Sequence, residues 1–260
     1  MHLIHLPLPY LTPYTAALTF QARLLAAHLA HLSFSPNGPR PGESPPRPPS
    51  PPPTLLTFTP PPVFTPGRRE PPYSPSLIHE LTSRPIVNLH PTFHPSQRGG
   101  LITYHGPGQV VGFLICHLPT HSLSLRPYVH LLEEATIRTC AHFGVNGFRS
   151  EVNPGVWISE EEKVCALGVH LRRRVSQYGV GLNVTGTVRE GFQRIVGCGL
   201  EGKRAGWLAR GIGDMDRDEE KGKCRKMGEV FAGEVAGLLD GVDEVRRVNG
   251  LADVLGQGAE

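Results

Sequence analysis

The chain is short of charge, of lysine above all, and of long hydrophobic runs, and each shortage removes a class of function. Charged residues make up 19% of 260 and the net charge is +3, a field too weak to make nucleic acid or an anionic membrane the main partner. No acidic residue precedes Glu43 and no lysine precedes Lys163, so the basic side is mostly arginine. No apolar run approaches the roughly 20 residues of a membrane span. The five cysteines, at 116, 140, 165, 198 and 224, contain no C-x-x-C pair and no zinc spacing, which reads as free thiols in a reducing compartment and as no metal site. A GxxxxGK[ST] loop, a GxGxxG after a strand and a G-x-S-x-G elbow are missing too, so ATP use has no positive support and no cofactor is expected.

What remains is a hydrophobic share of 39%, enough for a core and for one catalytic domain over 1–260. Residues 2 to 8 read as an edge strand limited by Pro7 and Pro9. A helix fits Thr15 to Leu32; its arginine and lack of acids resemble a mitochondrial targeting segment, while its apolar periodicity makes it part of the fold. The Pro-rich segment 35–53 is an exposed low-complexity insertion. Strands follow at Thr54–Phe58 and before Gly67, and residues 70–97 look irregular apart from an extended piece at Pro85–Leu89. His90 and His94 have the spacing of a helical metal pair, but Pro91 and Pro95 oppose that helix.

The stretch that stands out runs from Arg98 to Leu118, RGGLITYHGPGQVVGFLICHL. It predicts a hairpin whose turn, Gly106-Pro107-Gly108, has Pro to fix the first central φ and Gly to supply the positive φ of a type II turn. After it come a helix over Arg126–Phe143 with Glu133 and Glu134 on its solvated face, a strand burying Trp157, a strand from Lys163 to His170, the basic triplet Arg172 to Arg174, and a strand over Val175–Val184 whose Gly179 and Gly181 open its surface. A short strand reaches Ile195-Val196. A charged spacer over 209–226, densest from Asp214 to Lys226, precedes a helix from Met227 to Leu239. Consecutive strands without βαβ alternation give an α+β fold.

Cys198, between two glycines, has the most nucleophile-like surroundings of the five thiols, because little blocks approach to it. Cys116, Cys140 and Cys165 sit in apolar contexts and Cys224 in a charged, exposed one. Lys163 is a candidate to favour the thiolate; taken alone it reads as a surface lysine paired with Glu161 or Glu162.

Five motifs then resemble, in order and spacing, those of the lipoyl(octanoyl) transferases: Arg98–Gln109, Pro154–Trp157, Lys163–Gly168, Gly179–Val184 and Cys198–Leu200. Pro61–Arg68 is similar to that family's stretch after its first helix, and the likeness spans roughly residues 2 to 208. The resemblance implies a biotinyl/lipoyl-ligase-like α+β mixed sheet with packed helices. It also implies a two-step acyl transfer: octanoyl-acyl carrier protein acylates Cys198, and a lysine of a lipoyl domain takes the acyl group. The acceptors implied are the E2 subunits of 2-oxoacid dehydrogenases and the glycine cleavage H protein. Lys163 resembles the family's proton-handling lysine. Arg98, Gly99, Gly100, Leu101, Ile102, Thr103, Tyr104, His105, Ala166, Leu167, Gly168, Gly179, Val180 and Gly181 would line the acyl site. Thioester to amide is downhill, so the reaction as implied needs no ATP. The chain departs from the family at Gly197, where Pro is usual, at Tyr178, where His is usual, and at Gly206-Trp207, where Thr-Ser is usual. A monomer in mitochondria is expected, or in the cytoplasm if the source is bacterial. Two rival readings are an ATP-dependent lipoate or biotin ligase of the same fold and a degenerate lipoyl-domain-binding scaffold.

Overall fold

The computed structural model describes residues 1–34, 49–197, 202–209 and 216–255. In chain order the elements are β1 (His2–Pro7), α1 (Tyr14–Ser33), β2 (Thr54–Phe58), β3 (Val63–Thr65), α2 (Pro75–Thr82), β4 (Thr92–Phe93), β5 (Thr103–His105), β6 (Gln109–Ile115), α3 (Leu125–His142), β7 (Phe148–Arg149) and β8 (Val156–Trp157). They continue with β9 (Glu162–Arg172), β10 (Val175–Asn183), α4 (Arg189–Gln193), β11 (Arg204–Ala205), α5 (Arg217–Leu238), β12 (Glu244–Arg247) and α6 (Ala252–Leu255).

Nine strands make one mixed sheet in the order β12-β1-β2-β6-β10-β9-β8-β7, with β11 alongside β9. Strand β1 is internal and not an edge: it runs parallel to both β12 and β2. Its apolar alternation puts Leu3 on one face and Ile4 and Leu6 on the other, and a strand buried on both faces sits inside a sheet. Helices α3 and α5 cover the first face, where Phe231 lies against Gly112; a β-carbon on Gly112 would come within 3.0 Å of the Phe231 ring. Helix α1 covers the other face through Tyr14, Ala17, Gln21, Leu24, Leu25 and His28, a spacing that keeps all six on one side of a helix. Excision of α1 as a targeting segment would therefore strip that face of the sheet.

The Gly106–Gly108 turn forms as expected, with Gln109 N–H donating to Gly106 C=O at 3.2 Å and Gly108 at φ +81°. The strands it joins do not pair with each other. Strand β5 pairs with β3 in a separate three-stranded sheet, β4-β3-β5, while β6 lies in the large sheet between β2 and β10. The turn is a bridge between two sheets, not the tip of a hairpin.

Four further expectations are corrected. The charged stretch from Arg217 to Lys226 is the first half of α5, not a spacer; Asp216 caps it by accepting the N–H groups of Asp218 and Glu219, and the acids of the first turn favour its dipole. Cys224 in that helix is buried. Residues 189–193 are helical and Ile195-Val196 is not a strand. Helix α2 lies in the stretch expected to be irregular, announced by Ser74 as N-cap and Pro75 at the first position. The insertion over 35–48 falls outside the described residues.

Candidate active site

Lys163 stands at the start of β9, where β8 and β9 pair across a bulge beside Trp157. Its Nζ donates to the Pro154 carbonyl at 2.8 Å and lies 5.0 Å above the Trp157 ring. Gly155 makes this possible: it has φ +131°, and a β-carbon there would sit 2.6 Å from the Cys165 carbonyl oxygen and 2.9 Å from Lys163 Cε. The motif Pro154–Trp157 is thus a seat for the ammonium, giving it an acceptor and an aromatic face.

From Lys163 a trough of about 840 Å³ opens, walled by Ala166, Asn183, Phe192, Val196 and Trp207. Gly197 and Gly202 line it as well. Cys198 lies outside the described residues, between those two glycines. Arg189 lies 4.8 Å over the Trp207 ring, and Trp207 in turn packs on Gly186. Trp207 therefore forms a wall of the trough.

Nine of the residues expected to line an acyl slot surround one narrow slot. Arg98, Thr103, His105, Ala166, Leu167, Gly168, Gly179, Val180 and Gly181 do line one cavity, together with Tyr14, Phe113 and Tyr178, and its volume is about 20 Å³. That holds about one water molecule. Three aromatic rings fill it: Phe113 meets Tyr14 edge-on at 6.0 Å and Tyr178 edge-on at 5.5 Å. Tyr178 has φ +61°, a strained value for a residue with a side chain. Its N–H donates to Gln21 and its hydroxyl accepts the Gln97 N–H. Ala166 lines both slot and trough.

Not every residue expected in the slot faces it. Along residues 102–105 the side chains alternate: Thr103 and His105 point to the slot, while Ile102 and Tyr104 belong to a separate core cluster with Phe64 and Val188. Leu101 lies at the turn before β5, and its carbonyl accepts from Arg98. Gly99 and Gly100 serve close approach: Gly99 N–H donates to the Val169 carbonyl at 3.0 Å, and Gly100 adopts φ +95°. Gly179 and Gly181 do not open the strand surface. A β-carbon on Gly179 would lie 2.3 Å from the Gly112 carbonyl, and one on Gly181 would lie 3.2 Å from the His105 ring. Arg98 is buried, with its guanidinium on the carbonyls of Thr65, Gly99 and Leu101. Thr103 Oγ1 is buried with no hydrogen-bond partner among the described residues.

A polar chain links slot and trough. His105 Nδ1 lies 2.6 Å from Gln109 Oε1, Gln109 Nε2 donates to Asn183 Oδ1 at 2.8 Å, and Asn183 Nδ2 donates to the Gly206 carbonyl at 2.9 Å. With these amide orientations the imidazole donates from Nδ1. Burial, aided by the Arg98 charge and opposed by the Gln109 bond, lowers the His105 pKa to about 4. Asn183 was not singled out from the sequence, although it sits inside the Gly179–Val184 motif that carries part of the resemblance. The four described cysteines are buried. Burial pushes Cys116, Cys140 and Cys224 up to about 12 and Cys165 higher still.

A family model described as the lipoyl protein ligase A/B catalytic domain matches residues 46–225. A probable octanoyltransferase of Schizosaccharomyces pombe is 41% identical over 161 residues, 62% of this chain and 67% of that one. A mitochondrial octanoyl-[acyl-carrier-protein]:protein N-octanoyltransferase of Danio rerio is 35% identical over 205 residues, 79% of this chain and 80% of its own. Among solved structures, a lipoate protein ligase of T. acidophilum with bound lipoic acid superposes with a TM-score of 0.56 at 12% identity, over 99% of this chain and 94% of that one. At that identity the likeness shows the fold, which is the α+β ligase architecture expected from the motifs. On the match to the domain model and the identity to the Danio rerio relative, the chain belongs to the lipoyl protein ligase A/B catalytic-domain family and, within it, to the octanoyltransferases.

Proposed function

We propose that the chain moves an octanoyl group from acyl carrier protein to a lipoyl-domain lysine through a thioester on Cys198. The observation that carries this reading is the seating of the Lys163 ammonium in a trough that Gly197 and Gly202, the described residues on either side of Cys198, also line. The other four thiols are buried and held protonated at neutral pH. A cation beside a thiol favours the thiolate. In the first step the Cys198 sulfur attacks the octanoyl carbonyl, the carrier's sulfur leaves, and the acyl-cysteine forms. In the second the acceptor ε-amine attacks that thioester, the Cys198 sulfur leaves, and Lys163 handles the proton the amine sheds.

The methylenes extend past Ala166 toward the slot, where each buried CH₂ contributes about 0.8 kcal/mol. Because the slot is closed, entry of the chain moves the ring of Tyr14, Phe113 or Tyr178. The acceptors fitting this reading are E2 lipoyl domains and the glycine cleavage H protein. Relatives named as mitochondrial, in Drosophila melanogaster and Danio rerio, support a mitochondrial setting.

The test is incubation with octanoyl-acyl carrier protein, without ATP, followed by intact-mass measurement. An octanoyl adduct is expected on the parent protein and none on Cys198→Ser. Transfer to a lipoyl domain that requires ATP and survives Cys198→Ala would instead establish a ligase. Lipoyl-domain binding without transfer would establish a scaffold.

A further inference from the structure

Glu133 was expected on the solvated face of its helix, and the structure puts it inside. It is 4% exposed on α3, and its Oε1 accepts the Gly155 N–H at 2.9 Å. The carbonyl of that same peptide unit, belonging to Pro154, accepts Lys163 Nζ at 2.8 Å. A carboxylate and an ammonium therefore occupy the two ends of one peptide group. The anion is at the N–H end and the cation at the C=O end, the arrangement in which each charge polarises the peptide in favour of the other. Arg149 approaches the second carboxylate oxygen at 3.6 Å from the outer side. The Gly155 conformation leaves no space for a side chain between the peptide and Lys163.

A buried carboxylate is expensive, and a hydrophobic residue of similar size often serves stability as well or better. We propose that Glu133 is a positioning residue for Lys163, acting through the 154–155 peptide to hold the ammonium at the mouth of the trough. This rests on the reading of Lys163 as the proton-handling group. Glu134, its neighbour, pairs with Arg138 and Arg149 at the surface and does not touch that peptide. It is the natural control.

The experiment compares the parent with Glu133→Ala, Glu133→Gln, Glu134→Ala and Lys163→Ala. Two readouts are taken: labelling of Lys163 by acetic anhydride at fixed pH, followed by peptide mass spectrometry, and octanoyl transfer kinetics. An ammonium released from its acceptor gives up its proton more readily, so Glu133→Ala is expected to speed Lys163 labelling by about tenfold relative to the other lysines. Its kcat should fall by about tenfold or more with KM within about twofold, as for loss of an interaction made in the transition state. Glu133→Gln keeps an acceptor for the Gly155 N–H and should fall between the two, while Glu134→Ala should match the parent. Because Gln preserves the volume, the test stands even where the Ala variant does not fold. Unchanged labelling, or unchanged kcat, in a folded Glu133 variant overturns the proposal, as does an equal effect of Glu134→Ala. Full octanoyl transfer by Lys163→Ala would overturn the catalytic reading of Lys163 itself, and the labelling data would then show whether the Glu133 linkage survives it.

Discussion

The Tyr14 ring lies almost parallel to the His105 imidazole, with centroids 5.6 Å apart and planes 13° from parallel. Tyr14 opens α1, so the helix that follows the first strand supplies one wall of the narrow slot beside His105. His105, held neutral by burial, presents a flat, uncharged partner.

Removing a plug should lengthen the acyl chain the protein accepts. Tyr178→Gly deletes one ring and places glycine at a φ of +61° that suits it. Competition between octanoyl and dodecanoyl carrier thioesters should shift toward the longer chain by about tenfold or more, since two to four further buried methylenes contribute about 0.8 kcal/mol each. An unchanged ratio would place the chain elsewhere in the trough.

Gly155→Ala should cost both fold and chemistry. Its β-carbon meets the Cys165 carbonyl and Lys163 Cε at 2.6 and 2.9 Å, at a φ of +131°. Denaturant unfolding is expected to show a loss of about 3 kcal/mol or more, and octanoyl transfer should fall further than stability alone explains.

Acid should destabilise the protein in a defined window. Burial lowers the pKa values of His5, His28 and His105 from 6.5 to about 4, so the folded protein keeps them neutral. The unfolded chain takes up protons first, below its ordinary pKa. Their contribution is complete above about pH 6.5, is lost as pH falls toward 4, and changes no further below that, at up to about 3 kcal/mol per histidine. His28 Nε2 has no hydrogen-bond partner among the described residues. His28→Leu should therefore flatten the fall of Tm between pH 6.5 and 4 without lowering Tm at pH 7.5.

Glu220 ties the start of α5 to the end of β10. It accepts hydroxyl hydrogen bonds from Tyr10, Thr185 and Thr187 at 2.9, 2.8 and 2.5 Å. Bonds to a charged acceptor contribute about 1.5–3 kcal/mol each when broken singly, so Thr187→Ala should lower unfolding free energy by about 1.5–3 kcal/mol, and Glu220→Ala, which removes all three, by more than that. Equal losses in the two variants would show that the threonine alone matters.

Much of this was legible in the sequence, for identifiable reasons. Strand β2 was read at its observed bounds and α1 and α3 to within a residue at each end, because apolar residues recur on one face and turn residues bound them. The motif glycines were found, but not what lies against them: Gly179 abuts the Gly112 carbonyl and Gly181 the His105 ring, approaches that no sequence pattern encodes. Glu133 looked solvated because a single acidic pair on a helix says nothing of the neighbouring loop that buries one member. The slot's closure depends on Tyr178 turning its ring across the sheet at a positive φ, and no local propensity predicts that. Strand β12 escaped notice because four exposed residues, Glu244 to Arg247, carry no hydrophobic signature; their pairing with β1 is decided by distant chain.

That last pairing sets an order of events during synthesis. Strand β1 leaves the ribosome well ahead of its partner at 244–247, which comes more than 230 residues later. Until then one side of β1 offers bare amide and carbonyl groups to any passing chain. A nascent polypeptide of this kind benefits from a chaperone's shelter, and a copy truncated before Glu244 would carry that sticky margin permanently.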